Sequence, residues 1–500
     1  MTAAPSKTHA RRGAKAQRSR PSAVTRGAPQ APGSKPRRRG DGAPNPLGFH
    51  VNVIAHAETL LGELLKFEMP ADTRTSRYFK ANPMLGQRDR GLIAESVYAV
   101  LRRKLEYAQL AQSGTGPLTR RMILLGLAET TGVEPIAATL DADERLWLRR
   151  VATIDRASMP LAARANLPDW LLTALRARFS EADLEAIAAV LNQSAPLDLR
   201  VNTMATTRDD ALAALRAAGV DAAPTQLAPH GIRLRGKPAL AAQRIFLDGR
   251  VEVQDEGSQL LASLVAPRRG ELVVDFCAGA GGKTLALGDL MRSTGRLYAL
   301  DVSAKRLAKL KPRLARSGLS NVHPVMIESE RDPKLKRMAG KADRVLIDAP
   351  CSGLGTLRRN PDLKWRQTPA SIVELAAKQS SILVAAARLV KPGGRLVYAT
   401  CSLLREENQD VVDAFVAAHP EFEIDSATEI LRAQGIALEG RVDAGAMLEL
   451  WPHRTGTDGF FAAVLKKRLT RPGDPGLASQ EPGDIGEVQA ALPIDGPMRE

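Results

Sequence analysis

Two cysteines of the chain occupy similar short turns, each of which follows an apolar run typical of a buried strand. Cys351 lies in Asp-Ala-Pro-Cys-Ser-Gly, and Cys401 lies in Ala-Thr-Cys-Ser. Open α/β sheets bind their ligands at the carboxyl ends of the strands, where a thiolate can act as a nucleophile. One buried cysteine is usually a packing residue. Two in similar turns, on strands that can be neighbours, indicate thiol chemistry beside a bound ligand.

The third cysteine, Cys277, begins a glycine-rich loop that reads Cys-Ala-Gly-Ala-Gly-Gly-Lys. Glycine lets the backbone approach a ligand closely. The spacing matches neither the dinucleotide fingerprint nor the P-loop, so it favours a ligand without phosphates, such as S-adenosylmethionine. Asp301 follows about 20 residues later at the end of the next predicted strand, where an acid accepts hydrogen bonds from a ribose. The alternative is an ordinary tight turn and a surface aspartate. We interpret Cys277 itself as a packing or backbone-contact residue.

The composition favours a nucleic-acid partner. The 500 residues carry a net charge of +16, and 44% of them are hydrophobic, which predicts two or three domains with substantial cores. Residues 1–40 contain eleven basic residues and no acid, so about +5 remains for the rest of the chain. Three cysteines without a Cys-x-x-Cys pair indicate a reducing compartment, no disulfide framework and no metal site. We expect a cytoplasmic protein without a membrane span, because no apolar run approaches ~20 residues.

Strands and helices alternate from about residue 256 onward in the rhythm of a doubly wound sheet. Within it the pattern predicts a helix over 369–390, a turn at 391–394 and a helix over 406–419. Before it, the strands 197–202 and 231–235 form a small α+β unit. Basic residues project from those two strands, which suggests an RNA-facing surface, although structural alternation alone would explain their spacing.

Four segments carry a resemblance to a known family. They are Asp-Phe-Cys-Ala-Gly-Ala-Gly-Gly-Lys, Asp-Ala-Pro-Cys-Ser-Gly, Arg-Arg-Asn-Pro-Asp-Leu-Lys-Trp and Ala-Thr-Cys-Ser. Together they resemble the signatures of the RNA (cytosine-5)-methyltransferases of the Nop/Sun type, over about residues 167–465. The helical region before them resembles, more weakly, the antitermination-factor-like RNA-binding domain of the bacterial small-subunit rRNA members. The resemblance implies S-adenosylmethionine as cofactor and RNA, first of all 16S rRNA, as substrate. We expect a monomer.

The resemblance implies an α/β fold in which a Rossmann-like, S-adenosylmethionine-dependent methyltransferase domain follows a small α+β RNA-binding subdomain and an all-helical N-terminal domain. The predicted boundaries are a disordered basic arm at 1–46, a helical RNA-binding-like domain at 47–150, a helical linker with the small α+β subdomain at 151–255, the catalytic domain at 256–468 and a disordered tail at 469–500.

The resemblance also assigns roles to individual residues. Cys401 would add to C6 of the cytosine, and Cys351 would assist release of the adduct through removal of the C5 proton. Asp348 would hold the edge of the base, and Lys283 would lie near the base and favour the thiolate. The cofactor would be bound by Cys277, Ala278, Gly279, Ala280, Gly281, Gly282, Lys283, Asp301, Glu328 and Asp348.

The chain departs from the family pattern at two places. Its loop reads Ala-Gly-Ala-Gly-Gly rather than the commoner Ala-Pro-Gly-Gly, which leaves the local shape of the loop open. The third cofactor carboxylate is expected within 328–332, where we choose Glu328 among several acids.

Three other functions stay open at this point. The substrate could be tRNA or 23S rRNA. A DNA cytosine-5 methyltransferase would carry Pro-Cys-Gln, whereas serine follows Cys351, and the Thr-Cys-Ser turn would then have no explanation. A catalytically silent RNA-binding factor of ribosome assembly would keep the helical domain and the basic arm, but would bind no S-adenosylmethionine.

Overall fold

The structure is a computed structural model, which describes residues 51–469 apart from 237, 439 and 444. The predicted arm at 1–46 lies outside the described residues, and so does the predicted tail apart from Leu469.

The N-terminal region is helical, as its periodic apolar residues predict. Ile54 and Leu61 of the first helix and Ile93, Val97 and Leu101 of the third are buried in one core. Such i, i+4 and i+7 spacing places side chains on one face of a helix. The helices are α1 (Val51–Leu64), α2 (Ala71–Ala81), α3 (Gln87–Arg102), α4 (Lys104–Ala111), α5 (Leu118–Thr131), α6 (Glu134–Ala137) and α7 (Ala142–Ala152).

A helical linker and a small sheet follow. In the sheet, β1 lies between β3 and β4, β2 pairs with β3, and each of these pairings is antiparallel. The elements are α8 (Leu161–Ala165), α9 (Asp169–Arg176), α10 (Glu181–Leu191), β1 (Leu197–Val201), α11 (Arg208–Ala217), β2 (Ala222–Pro224), β3 (Gly231–Leu234), α12 (Arg244–Leu247) and β4 (Val251–Val253).

The suggestion that this sheet presents its basic strand residues to RNA is wrong for two of the three arginines. Arg200 is buried and pairs with Asp289 at 3.3 Å. Arg233 pairs with Asp198 at 2.8 Å. Alternation predicts which side chains share a face of a strand, but not whether another domain covers that face. Only Arg235 remains exposed.

The C-terminal region is a Rossmann-like domain around a larger mixed sheet. Its elements are α13 (Glu256–Val265), β5 (Leu272–Asp275), α14 (Gly282–Leu290), β6 (Arg296–Asp301), α15 (Ala304–Ser317), β7 (Val322–Met326), β8 (Ala342–Asp348), α16 (Leu363–Arg366), α17 (Pro369–Ala387), β9 (Val390–Thr400), α18 (Gln409–Ala418), β10 (Phe422–Asp425), α19 (Ala427–Arg432), β11 (Leu448–Leu450), α20 (Pro452–Thr455) and β12 (Phe460–Lys467).

The strand order is β10-β12-β9-β8-β5-β6-β7, and β11 also pairs with β12. The five strands from β9 to β7 are parallel, and β12 runs antiparallel to β9. From β5 the chain proceeds to one side through β6 and β7, and then crosses to the other side through β8 and β9. The order therefore reverses between β5 and β8, and ligands of doubly wound sheets bind at such a switch point.

The boundary between α17 and β9 differs from the prediction. The helix ends at Ala387, and Val390 is already paired with Ala342 of β8. A register shift between Ala342 and Arg344 accommodates the Lys-Pro-Gly-Gly segment within the strand. The predicted turn at 391–394 is therefore part of β9.

One predicted helix of this domain is broken, and another helix is long and apolar. The predicted helix at 406–419 is interrupted at Asn408, whose φ of −115° and ψ of −99° separate a short 3₁₀ turn from α18. Within the described residues α17 alone has the length and composition of a membrane span. Its Ile382, Leu383 and Ala386, however, are buried in the core of the domain.

Candidate active site

The strand ends at the switch point line a cavity of 680 Å³. All of the predicted site residues except Gly281 line it, namely Cys277, Ala278, Gly279, Ala280, Gly282, Lys283, Asp301, Glu328, Asp348, Cys351 and Cys401. They come from five different loops, which the sheet brings to one edge.

The glycine loop between β5 and α14 has a backbone that favours glycine at two positions. Gly279 has a φ of 57° and Gly281 a φ of 86°, both in the left-handed region. A Cβ on Gly281 would lie 2.1 Å from Cδ1 of Leu310. Gly281 therefore faces the packed side of the loop rather than the cavity.

Asp301 is the last residue of β6, and its carboxylate holds the glycine loop between β5 and α14 in place. Its Oδ2 accepts a hydrogen bond from the backbone N–H of Gly279 at 2.8 Å. Its Oδ1 accepts from the N–H of Ser303 at 2.7 Å and lies 3.1 Å from the guanidinium of Arg306. The carboxylate is buried and lines the cavity, with an unused lone pair on Oδ2.

The acids after β7 have separate environments. The buried carboxylate of Asp332 accepts hydrogen bonds from the backbone N–H groups of Glu328 and Lys334, both at 2.8 Å, so it stabilises its own loop. Glu330 accepts from the hydroxyl of Ser381 at 2.9 Å. Glu328 lines the cavity with an exposed side chain. Its position agrees with the choice of Glu328 as the third cofactor carboxylate, which stays a prediction.

Lys283 and Asp348 form an ion pair at the base of the cavity. The ammonium nitrogen of Lys283 lies 2.7 Å from Oδ2 of Asp348. Burial disfavours the ammonium ion, but the charge and hydrogen bond of Asp348, with a smaller contribution from Cys401, outweigh burial. The pKa of Lys283 is therefore raised, and the lysine stays charged.

Cys351 and Cys401 are brought together because β8 and β9 are parallel neighbours, with Asp348 opposite Ala399. Their sulfur atoms lie 3.3 Å apart. The hydrogen bond with Cys401, and then burial, raise the pKa of Cys351 well above its usual value. Cys351 therefore keeps its proton.

Cys277 is set apart from that pair. It packs against the core that contains Val274 and Phe276. Burial, and then the charge of Asp275, raise its pKa. The position agrees with the interpretation of Cys277 as a packing residue beside the cofactor loop.

A buried carboxylate, Glu407, joins the two cysteine turns and was not found from the sequence. It accepts hydrogen bonds from the N–H and hydroxyl of Ser352, at 2.8 and 2.6 Å, and from the hydroxyl of Ser402. The side-chain amide of Gln379 donates to it at 3.0 Å. The serine after each cysteine thus donates a hydrogen bond to the same carboxylate. The repeated Cys-Ser dipeptide was the only signal in the sequence.

The turn of Cys401 is also held by two glycines. The N–H of Gly355 donates to the carbonyl of Cys401, and the N–H of Gly459 donates to the carbonyl of Gly355, both at 2.8 Å. A Cβ on Gly355 would lie 2.1 Å from the carbonyl oxygen of Gly459. Only glycine allows this close approach.

An ion-pair network lies beside the cavity. Arg359 contacts Asp255 at 3.0 Å and also pairs with Asp458, which Arg358 contacts at 3.0 Å. Burial, and then the charge of Asp458, raise the pKa of Asp255 to about 6. The network ties the segment after Cys351 to the start of α13 and to the turn before β12.

The segment 358–365 connects the catalytic domain to the N-terminal helices. Lys364 is buried, and its ammonium group donates to the carbonyl of Arg102 at 2.8 Å. The indole N–H of Trp365 donates to the carbonyl of Leu101 at 2.8 Å. Lys104 lies 4.6 Å from the centre of the Trp365 ring. The end of α3 and Lys104 at the start of α4 therefore take part in domain packing.

Known proteins match this architecture over most of its length. A family model described as 16S rRNA methyltransferase RsmB/F matches residues 262–466, and the model of that family's ferredoxin-like domain matches 167–241. A probable ribosomal RNA small subunit methyltransferase B of Synechocystis sp. is 32% identical over 82% of this chain and 98% of its own. The chain belongs to the RsmB/F family of 16S rRNA methyltransferases.

Two further proteins agree with RsmB/F membership. The probable ribosomal RNA small subunit methyltransferase B of Bacillus subtilis is 31% identical over 77% of this chain and 92% of its own. The crystal structure of PH0851 has a TM-score of 0.66 and 25% identity, and it covers 84% of this chain and 99% of its own. The predicted Nop/Sun resemblance, the Rossmann-like fold, the small α+β unit and the helical N-terminal region are confirmed, and the α+β unit matches the ferredoxin-like domain of the family.

S-adenosyl-L-methionine is the cofactor of RsmB/F methyltransferases, and the cavity has a suitable donor set. The ligand has a positive charge, ribose hydroxyls and an adenine, but no phosphate. Six acidic residues line the cavity: Asp255, Asp275, Asp301, Glu328, Glu330 and Asp348. Four cations line it, and three of them have acidic partners, since Lys283 pairs with Asp348, Arg306 with Asp301 and Arg313 with Glu252. The fourth is Lys378. The balance of charge therefore suits a cationic ligand rather than a nucleoside phosphate.

Proposed function

We propose that this protein methylates C5 of a cytosine in 16S rRNA through a covalent adduct between Cys401 and C6 of the base. The observation that carries the proposal is the pair of thiols, 3.3 Å apart, at the edge of the cavity that the glycine loop also lines. Cytosine C5 is a poor nucleophile, so attack by a thiolate at C6 divides one difficult step into easier ones.

In the first step the Cys401 sulfur bonds to C6, and the electron pair of the C5–C6 double bond moves toward N3. N3 takes up a proton, and the carboxyl group of Asp348 is suited to hold that edge of the base. The nearby ammonium group of Lys283 stabilises the thiolate before it attacks. Bound S-adenosylmethionine supplies the methyl group that C5 receives.

In the second step Cys351 acts as the base. Its hydrogen bond with Cys401 is the largest cause of its raised pKa. That hydrogen bond is lost once the Cys401 sulfur is bonded to C6, so Cys351 can release its proton to solvent. The Cys351 thiolate then removes the proton from C5, the C6–sulfur bond breaks, and the double bond returns. Cys401 leaves as a thiolate, N3 loses its proton, and one proton is released overall.

The target and the location follow from the family. Relatives at 32% and 31% identity are described as small-subunit rRNA methyltransferases, which favours 16S rRNA over 23S rRNA and tRNA. Ribosomal RNA of a bacterial cell lies in the cytoplasm, where thiols stay reduced. We therefore propose a cytoplasmic enzyme that acts on RNA without a metal.

The decisive experiment is methyl transfer by the purified full-length protein from labelled S-adenosylmethionine. The substrates are transcripts of 16S rRNA, 23S rRNA and tRNA, with double-stranded DNA as a further arm. We expect label in 5-methylcytidine of 16S rRNA. Label in another nucleoside, in DNA only, or in none of the substrates would overturn the proposal. Label in 23S rRNA or tRNA instead would keep the chemistry and correct the target.

A further inference from the structure

A second cavity lies where the N-terminal helices meet the linker. It has a volume of 940 Å³ and shares no residue with the candidate active site. Its walls come from α2, α3, the end of α5 and residues 192–194 after α10. Ligand sites of proteins have volumes of about 300–1,000 Å³, so the space suits a nucleotide.

Three cations line this cavity without an ion pair inside the described part of the chain: Lys80, Arg90 and Arg102. Arg90 donates one N–H to the carbonyl of Pro83, and Arg102 donates one to the carbonyl of Arg358, both at 3.3 Å. The Nε atoms of both arginines are buried without an acceptor. Guanidinium groups with unused donors beside a cavity are suited to an anion, above all a phosphate.

Two aromatic rings line the same cavity beside two of these cations. The guanidinium carbon of Arg90 lies 5.9 Å from the centre of the Phe79 ring, and that of Arg102 lies 5.8 Å from the centre of the Tyr98 ring. Both rings are half-buried. Aromatic faces interleaved with arginines are the usual surface for unpaired bases of RNA.

A buried lysine, Lys364, lies beneath the cavity. The buried ammonium group of Lys364 donates to the carbonyl of Arg102 and to the amide oxygen of Asn192, both at 2.8 Å. Burial, and then the charge of Arg102, lower its pKa well below the usual value. Among the acids at the cavity, Glu129 is 3.1 Å from Arg103 and accepts from the hydroxyl of Tyr107. Asp72 and Glu95 line the cavity as well, so four cations face three acids, and the net positive charge favours an anion.

We propose that this cavity binds an unpaired nucleotide of the RNA substrate, with its phosphate at Lys80, Arg90 and Arg102 and its base on the Tyr98 ring. The proposal rests on the proposed function for the identity of the RNA. The segment 354–366 joins the two cavities, because Thr356 lines the active site while Lys364 and the carbonyl of Arg358 contact Arg102. The bound nucleotide therefore helps to orient the RNA for the catalytic domain.

The test compares two charge-matched double variants of the full chain, K80A/R90A and the control R77A/R88A. Arg77 and Arg88 lie on the same two helices, are exposed and do not line the cavity. Binding of a 16S rRNA transcript is measured over a range of KCl concentrations without cofactor. K80A/R90A should raise Kd roughly tenfold more than the control. It should also lower the slope of log Kd against log salt by about 1.4, since each lost contact with single-stranded RNA contributes about 0.7.

A second pair of variants tests stacking. Tyr98→Phe keeps the ring and should keep the affinity for RNA within about twofold, whereas Tyr98→Leu should weaken it roughly tenfold. Circular dichroism and thermal melting establish that each variant is folded. Equal RNA binding by K80A/R90A and its control, or by the two Tyr98 variants, would overturn the proposal and leave the cavity to a ligand other than RNA.

The outcomes for the two proposals are separable. A wild-type protein that binds 16S rRNA through this cavity but transfers no methyl group would contradict the proposed function and leave the cavity assigned to RNA. A wild-type protein that methylates 16S rRNA, with K80A/R90A equal to R77A/R88A in binding, would contradict only the cavity. Absence of RNA binding by the wild-type protein would overturn both.

Discussion

The sulfur atom of Cys351 lies 3.3 Å from that of Cys401, although fifty residues separate the two cysteines in the chain. Parallel pairing of β8 with β9 causes this proximity, because each cysteine follows the end of its strand. At this distance a proton can pass between the sulfurs, so the protonation of one thiol depends on the state of the other.

The first prediction concerns release of the adduct. In Cys351→Ala no thiol remains to remove the C5 proton, so the methylated RNA should stay bonded to Cys401. Multiple-turnover methylation should fall about 10²- to 10⁴-fold, the usual contribution of a general base. Denaturing gels with labelled RNA should show a band of protein bonded to RNA that disappears in Cys351→Ala/Cys401→Ala.

The control is Cys277→Ala, which removes the third thiol without touching the pair. It should show no trapped band, whatever its effect on cofactor binding. A trapped band of equal intensity in the Cys277 variant, or none in the Cys351 variant, would contradict the assignment of the two roles.

The second prediction concerns Glu407, which holds both cysteine turns through Ser352 and Ser402. In Glu407→Gln an amide group faces these hydrogen-bond donors. The variant should lose about 2–3 kcal/mol of stability, and kcat should fall roughly 100-fold while the KM for S-adenosylmethionine stays unchanged. Phenylarsine oxide, which requires two adjacent thiols, should bind the variant more slowly because the turns separate.

The matched control for that experiment is Glu406→Gln, since Glu406 is the adjacent acid and is exposed. It should leave stability, kcat and the rate of arsenical binding unchanged. If Glu407→Gln lost stability but kept the arsenical rate and kcat, Glu407 would be a structural residue without a positioning role.

Sequence reasoning found the residues whose neighbours in the chain identify them. Asp301 is the last residue of its strand, and Cys351 and Cys401 follow the ends of theirs. The carboxyl ends of parallel strands must meet at one edge of the sheet. Glu407 was missed because its partners become neighbours only once β8 and β9 pair. Arg200 and Arg233 were assigned to a surface because the period of a strand indicates a shared face, and only the packed domains reveal what covers it. The second cavity was invisible for the same reason, since its walls come from four separated segments.

The third prediction concerns Lys283, whose raised pKa keeps an ammonium ion beside the thiols. In Lys283→Met the thiolate form of Cys401 loses this neighbouring charge. The rate at which iodoacetamide alkylates Cys401 near neutral pH should fall roughly tenfold, because the thiolate is the reactive form and a neighbouring cation stabilises it. Peptide mass spectrometry reports the alkylation of each cysteine separately.

Lys305→Met provides the matched control, because Lys305 is an exposed lysine of α15 outside the cavity. Its alkylation profile should equal that of the wild-type protein. An unchanged rate at Cys401 in Lys283→Met would indicate that Lys283 serves only as the partner of Asp348.

The last prediction is a pH dependence of stability caused by Asp275, the buried acid at the end of β5. Burial raises its pKa to about 7, partly opposed by the hydroxyl of Thr284, which donates to it at 2.6 Å. The usual value is 3.8, so between about pH 4 and 7 the folded state holds a proton that the unfolded state has lost. The free energy of unfolding should therefore fall with rising pH in this window, by up to about 1.4 kcal/mol per pH unit. Asp275→Asn removes that slope. Its difference from the wild-type protein in urea denaturation should change between pH 5 and 7 and level off above pH 7.

Asp343→Asn gives the opposite case. Burial would raise the pKa of Asp343, but the hydrogen bonds from Lys391 and from the N–H of Leu272 hold it below its usual value. Its difference from the wild-type protein should stay flat from pH 5 to 8 and change only in more acidic solution. A difference between Asp275→Asn and the wild-type protein that stayed flat across the same range would show that the Asp275 carboxylate is charged in the folded protein, and that the cavity stabilises its charge against burial.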